Sequence, residues 1–140
     1  IRLFYMKIFP AIDIKDKKCV RLVKGDFDNI TEYEISPVEQ AGKYKDHGFK
    51  NLHIVLGVVN DKDISSLIEL FPKNSLYYFC KPDIPRGLNA DKLALFFKHS
   101  SFKGTVYGSV SEAFRAAKHK AYIDDLIYIG GSTFVVAEVL

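Results

Sequence analysis

The sequence predicts an α/β fold: a Rossmann-like, mainly parallel sheet with helices on its faces. Two observations predict it. Short apolar runs alternate with segments of helical period that are long enough for crossovers between parallel strands. The central run, Asn51–Val59 (NLHIVLGVV), is apolar almost throughout, as expected of a strand covered on both faces.

In chain order, Lys7–Asp13 (KIFPAID) reads as a buried strand ending in a carboxylate. Lys18–Val23 (KCVRLV) alternates and is closed by Gly25-Asp26, which suits an exposed hairpin strand. Ser36 can cap a helix, Pro37 suits its first position and Glu39 completes a capping box. Val38, Ala41 and Tyr44 continue that helix, and Gly48 can end it. The Lys7–Asp13 strand is therefore expected to lie parallel and adjacent to the Leu52–Val59 strand, with the capped helix as the crossover.

Beyond the central strand, Ile64, Leu67, Ile68 and Phe71 fall at i, i+3, i+4 and i+7, a helical stripe stopped by Pro72. Leu76–Cys80 is an aromatic-rich strand, and Asn89 caps a helix carrying Leu93, Phe96 and Phe97. Thr105–Tyr107 is a short strand. Ser109 and Glu112 form a second capping box, opening a helix with Ala113, Phe114 and Ala117 inward. Leu126–Ile129 is the last strand, and Gly130-Gly131-Ser132 turns it into a final helix, Phe134–Leu140.

The chain has 140 residues, 48% of them apolar and 26% charged, which suits one globular domain. The net charge of +3 is dispersed among acids and does not point to nucleic acid. Cys19 and Cys80 show no metal-ligand or redox spacing and are expected to be buried thiols of a reduced compartment. No run approaches the roughly 20 apolar residues of a membrane span. A cytoplasmic protein is expected, and Met6 is a candidate start.

GxxxxGK[ST], GxGxxG, HExxH and GxSxG are all absent from the sequence. Three features remain. Asp13 closes a strand, where an acid/base group of a parallel α/β fold would sit; a loop carboxylate or helix cap reads equally. Asn60, Asp61, Lys62 and Asp63 follow the central strand, as a crevice for a metal or a phosphate-bearing substrate or as acids favouring a helix start. Gly131, Ser132 and Thr133 either present backbone amides to an anion or only allow a tight turn. The parallel arrangement would gather all three at one sheet edge with Lys81–Arg86, where Arg86 offers a two-pronged donor. Residue types alone support no cofactor and no metal site.

Two resemblances are carried by different stretches. Phe9-Pro10-Ala11-Ile12-Asp13, Val20-Arg21-Leu22, Gly25-Asp26, Thr31, Tyr33, Pro37 and the run from Gly48 to Val55 resemble the N-terminus of the histidine-biosynthesis ribotide isomerase, a TIM-barrel family. That resemblance puts Asp13 at an acid/base position of an Amadori rearrangement. The partner aspartate and phosphate-binding glycines lie on later strands with no counterpart in this sequence.

LHIVLGVVNDKD (Leu52–Asp63), YYFCKPDIPRGLNADKL (Tyr77–Leu93) and DDLIYIGGSTFVVAEVL (Asp124–Leu140) resemble the C-terminal domain of dihydrofolate/folylpolyglutamate synthase, a Mur-ligase-like family. This resemblance implies ATP and Mg²⁺ and the joining of glutamate to folate, although the family's phosphate loop has no counterpart here. The expected organisation is an isomerase-like segment, 1–55, and a synthase-like domain, 52–140, in one compact unit. Expected function is at most weak, Mg²⁺-dependent nucleotide or phosphate binding. Neither isomerase nor ligase turnover is expected, and the alternatives are an isomerase fragment using Asp13 and a non-catalytic nucleotide-binding or structural α/β domain.

Overall fold

A computed structural model describes residues 13–15, 18–23, 26–36, 39–40, 43, 48–69 and 71–140. They form two sheets. The first is an antiparallel meander of β1 (Asp13–Lys15), β2 (Lys18–Val23) and β3 (Asp26–Glu32), with a register irregularity at Leu22/Val23. Two residues separate each pair of strands, a length that only antiparallel pairing accommodates. Cys19 and Val20 are buried, so β2 is the central strand here rather than an exposed one.

The expected capping box is present. Ser36 Oγ accepts from Glu39 N at 3.1 Å, and Glu39 Oε2 accepts from Ser36 N at 2.9 Å. Glu39, Gln40 and Lys43 are helical, and Gly48 takes φ +97°, the left-handed backbone of a helix terminator.

The second sheet is parallel, in the order β6-β5-β4-β7. Its strands are β4 (Leu52–Leu56), β5 (Leu76–Phe79), β6 (Gly104–Val106) and β7 (Leu126–Gly130). The helices are α1 (Ser65–Ile68), α2 (Ala90–His99), α3 (Val110–Lys120) and α4 (Thr133–Ala137).

Strand alternation divides the core into two layers. On one face Ile54, Leu56, Tyr77 and Phe79 meet Ile64 and Ile68 from α1 and Leu93 and Phe97 from α2. On the other, Val55, Tyr78, Cys80 and Ile127 meet Val110, Ala113 and Ala117 of α3 and Val135 of α4. Phe96 faces away from this core, 45% exposed.

The expected neighbour of the central strand is not observed. β4 is flanked by β5 and β7, so neither edge is left for the N-terminal strand. Lys7–Ile12 lie outside the described residues, and Asp13 belongs to the antiparallel sheet. The reason is that the chain doubles back after β6. α3 returns it across the sheet, and β7 takes the edge of β4 that an N-terminal strand would have used.

Candidate functional site

Strand order reverses between β4 and β7, since β4 leads outward to β5 and β6 and the chain then returns to β7. In open parallel sheets ligands sit beyond the carboxyl ends of the strands at such a point. Here the backbone after β4 is held by Leu88 N donating to Val58 O at 2.8 Å and Asn60 N donating to Arg86 O at 2.9 Å. These bonds bring Asp61 and Lys62 beside Arg86.

Lys62 Nζ donates to Gly131 O at 2.8 Å, bridging the two strands at the reversal. Although the side chain is exposed, atoms packed around its ammonium strip water and lower its pKa, opposed by Asp61. Arg86 Nη1 lies 3.6 Å from Asp61 Oδ2, and its guanidinium sits 5.3 Å from the Phe134 ring centre. Gly131 takes φ +93°, and a Cβ there would strike Gly57 O and lie 2.8 Å from Leu56 Cδ1. Its turn keeps β7 pressed to β4.

Four expected residues are therefore brought together: Asp61, Lys62, Arg86 and Gly131. Two others are occupied locally. Asp63 Oδ1 accepts from Ser65 Oγ at 2.7 Å and Ser66 N at 3.4 Å, capping α1, and these bonds lower its pKa. Ser132 Oγ accepts from Phe134 N at 3.3 Å. Thr133 opens α4, a helix of only five residues. Asp13 opens β1 in the antiparallel sheet, and its side chain is not among those described.

Sequence reasoning missed a buried polar group at the opposite edge. His53 Nδ1 lies 2.8 Å from the Tyr78 hydroxyl, and His53 Nε2 lies 3.2 Å from Asp125 Oδ2. Both His53 and Asp125 side chains are 2% exposed. Burial alone would raise the Asp125 pKa, but hydrogen bonds from Tyr122 N, Asn51 and His53 outweigh it and lower the pKa. Burial pushes Tyr78 up to about 12, so its hydroxyl keeps its proton, and it shares a hydrogen bond with His53 Nδ1. The three polar groups are thus partnered to one another inside the core. The available signal was a histidine inside an apolar strand with Asp124-Asp125 just before the last one.

A depression of about 220 Å³ also lies at the amino ends of the strands, lined by Leu76, Tyr78, Lys103, Thr105 and Lys120 among others. It is on the edge opposite Asp61 and Arg86. Among the described residues no group of three or more His, Cys, Asp or Glu could hold a metal. No helix of theirs is long and apolar enough to cross a membrane.

The family described as histidine biosynthesis protein matches residues 7–58. The imidazole-4-carboxamide isomerase of Pelagibacter ubique is 92% identical over 50 residues, covering 36% of this chain and 21% of that protein. The Clostridioides difficile isomerase is 56% identical over 50 residues with the same shares. E.coli FolC in complex with DHPP and ADP superposes with TM-score 0.62 at 26% identity, covering 72% of this chain and 24% of that one.

Two likenesses meet in this chain. Its first part resembles the isomerase by sequence, and its fold is that of the folylpolyglutamate synthases. A Yersinia pestis folylpolyglutamate synthase/dihydrofolate synthase, complexed with AMPPNP and Mn ion, shares the fold with TM-score 0.61 at 21% identity, covering 73% and 24%. The chain spans about a fifth of the isomerases and a quarter of the synthases. The matched stretch 7–58 takes in all of β4, which is also the central strand of the synthase-like sheet.

Proposed function

We propose that this chain is a ligase-derived α/β domain that binds a nucleotide or phosphate weakly and turns over neither parent reaction. The observation that carries this reading is the convergence of Lys62, Arg86 and Gly131 at the strand-order reversal. Structural neighbours solved with ADP or AMPPNP lend support.

Lys62 and Arg86 supply two cations, one of them a planar fork suited to phosphate oxygens. Asp61 opposes an incoming anion. Mg²⁺ would arrive with the nucleotide and screen that carboxylate, since the described residues build no metal cluster of their own. Turnover by these residues alone is not expected, because losing one member of an acid/base unit costs on the order of 10²–10⁴ in rate, and GxxxxGK[ST] does not occur among them.

The second reading is an isomerase-type acid/base role for Asp13, favoured by the 92% identity of its segment to one isomerase. Chemical-shift mapping separates the two. ATP with Mg²⁺ should shift Asp61, Lys62, Arg86 and Gly131, with Kd in the millimolar range, and should bind more weakly without Mg²⁺. Arg86→Ala should weaken binding severalfold, and Asp61→Asn should reduce the Mg²⁺ dependence. Shifts confined to the amino-end edge, tight metal-free binding, or ATP-dependent addition of glutamate to a folate would each sink the proposal.

A further inference from the structure

We infer that the depression at the amino ends of β5 and β6 is a binding site for a small aromatic acid, one ring carrying one carboxylate. It lies on the sheet edge opposite Lys62 and Arg86 and does not depend on the nucleotide reading.

Strand alternation builds its floor. Leu76 and Tyr78 project to one face of β5, and the pairing of Tyr78 with Thr105 puts Thr105 and Lys103 on that same face. α3 covers the face through Val110, Ala113 and Ala117, then stops at Lys120, where Ala121 turns to extended backbone. Beyond that stop Leu76 is left 45% exposed, although its strand is flanked by β4 and β6. A singly exposed aliphatic is ordinary on a flat surface. This one walls a hollow.

Size and charge select the occupant. The hollow holds about 220 Å³, more than the roughly 150 Å³ that accepts benzene and less than the roughly 300–1,000 Å³ of sites for drug-sized ligands. One ring with a compact substituent fits. Lys103 and Lys120 make that substituent an acidic one. Neither enters an ion pair among the described residues, and no carboxylate lines the hollow. Thr105 adds a hydroxyl donor. The Lys120 ammonium sits 5.8 Å from the centre of the Tyr78 ring, poised over the aromatic wall.

That wall is fixed in advance. The Tyr78 hydroxyl is hydrogen-bonded to His53 Nδ1 at 2.8 Å, and its ring stacks on Tyr107 with centres 5.8 Å apart. A wall that needs no reordering costs less on binding. The carbonyl end of α3 points toward this edge and works against an anion. Lys118, His119 and Lys120 in its last turn offset that field.

Chemical-shift titration of the full chain tests this with benzoate as the probe. Acetate serves as the charge without the ring, and benzyl alcohol as the ring without the charge. Benzoate should shift the amides of Leu76, Tyr78, Thr105 and Lys120, leave those of Asp61 and Arg86 in place, and bind about fivefold more tightly than either control. Lys103→Gln and Lys120→Gln should each weaken benzoate about threefold and leave benzyl alcohol unchanged. Both lysines are exposed, so both variants should keep the fold. Lys118→Gln, whose ammonium lies over the Phe114 ring instead, should bind benzoate as the parent chain does. Equal binding of acetate would reduce the hollow to a patch of cations, and equal binding of benzyl alcohol to an apolar dimple. Either result overturns the inference, as do benzoate shifts that never saturate, shifts confined to other residues, or an affinity indifferent to both substitutions. No nucleotide enters these titrations, so this inference and the proposed function can fail separately.

Discussion

Four donors converge on the Asp125 carboxylate. Its Oδ1 accepts from Asn51 N and Asn51 Nδ2 at 3.2 and 2.8 Å, and its Oδ2 from Tyr122 N and His53 Nε2 at 2.9 and 3.2 Å. Removing the carboxylate leaves donors on three residues without this acceptor, the buried His53 ring among them, so Asp125→Ala should cost about 3 kcal/mol by urea unfolding. Lys50→Ala, which breaks only the exposed pair with Asp124 at 2.9 Å, should leave stability unchanged. Because the folded-state pKa of Asp125 is depressed, the unfolded chain binds more protons as pH falls below the usual aspartate value of about 3.9. The Asp125 contribution is therefore full above that value and lost as pH drops through the folded pKa. The stability gap between the parent chain and Asp125→Asn should narrow over that acid range, and a gap independent of pH would contradict the assignment. In the sequence, Asp124 and Asp125 look alike. Only the fold separates the exposed carboxylate from the buried one.

At the level of elements, helix starts were the most legible feature, because a cap is a local contact. Ser36, Asn89 and Ser109 all act as read from the sequence, with Asn89 Oδ1 accepting from Lys92 N at 3.0 Å and Ser109 Oγ from Glu112 N at 3.1 Å. The second box differs in one detail. Glu112 Oε2 reaches back to Gly108 N, one residue before the cap. Asn89→Ala and Ser109→Ala should each cost about 1 kcal/mol in thermal or urea unfolding. β3, by contrast, went unread, since DFDNITE is polar and poor in strand formers, and only its antiparallel pairing with β2 makes it a strand. The parallel strands were legible from their apolar runs, but their order was not. Nothing in the sequence of β7 states that it lies beside β4 rather than beyond β6.

One face of the parallel sheet, the larger part of the described molecule, packs against an aromatic cluster centred on Phe97. That ring lies 5.3 Å from Phe71, 5.4 Å from Tyr77, and 5.1 Å from both Phe79 and Phe102, measured between centres. Phe97→Ala should cost about 3–5 kcal/mol, whereas Phe96→Ala, on the exposed side of the same helix, should be near neutral. The candidate site was legible in outline because carboxyl-end loops are fixed by strand direction alone. Its detail was not: the Lys62–Gly131 bridge and the Arg86–Phe134 contact depend on β4 and β7 being neighbours. Of the two readings for Asp63, the structure shows the one at a helix start, with Ser65 Oγ and Ser66 N donating to its carboxylate.

The two cysteines occupy different sheets, Cys19 in the antiparallel meander and Cys80 just past β5, and both are free and buried. Burial pushes the Cys80 thiol up to about 12 and raises that of Cys19. Neither sulfur is an effective nucleophile until its surroundings open. The chain thus carries two built-in reporters, and pulse alkylation followed by mass measurement reads the breathing of each sheet separately. A unit in which the meander and the parallel sheet open together labels both thiols at one rate, with doubly modified chains appearing without a singly modified stage. Prior accumulation of chains modified only at Cys19 would mean that the joined segments keep separate unfolding clocks.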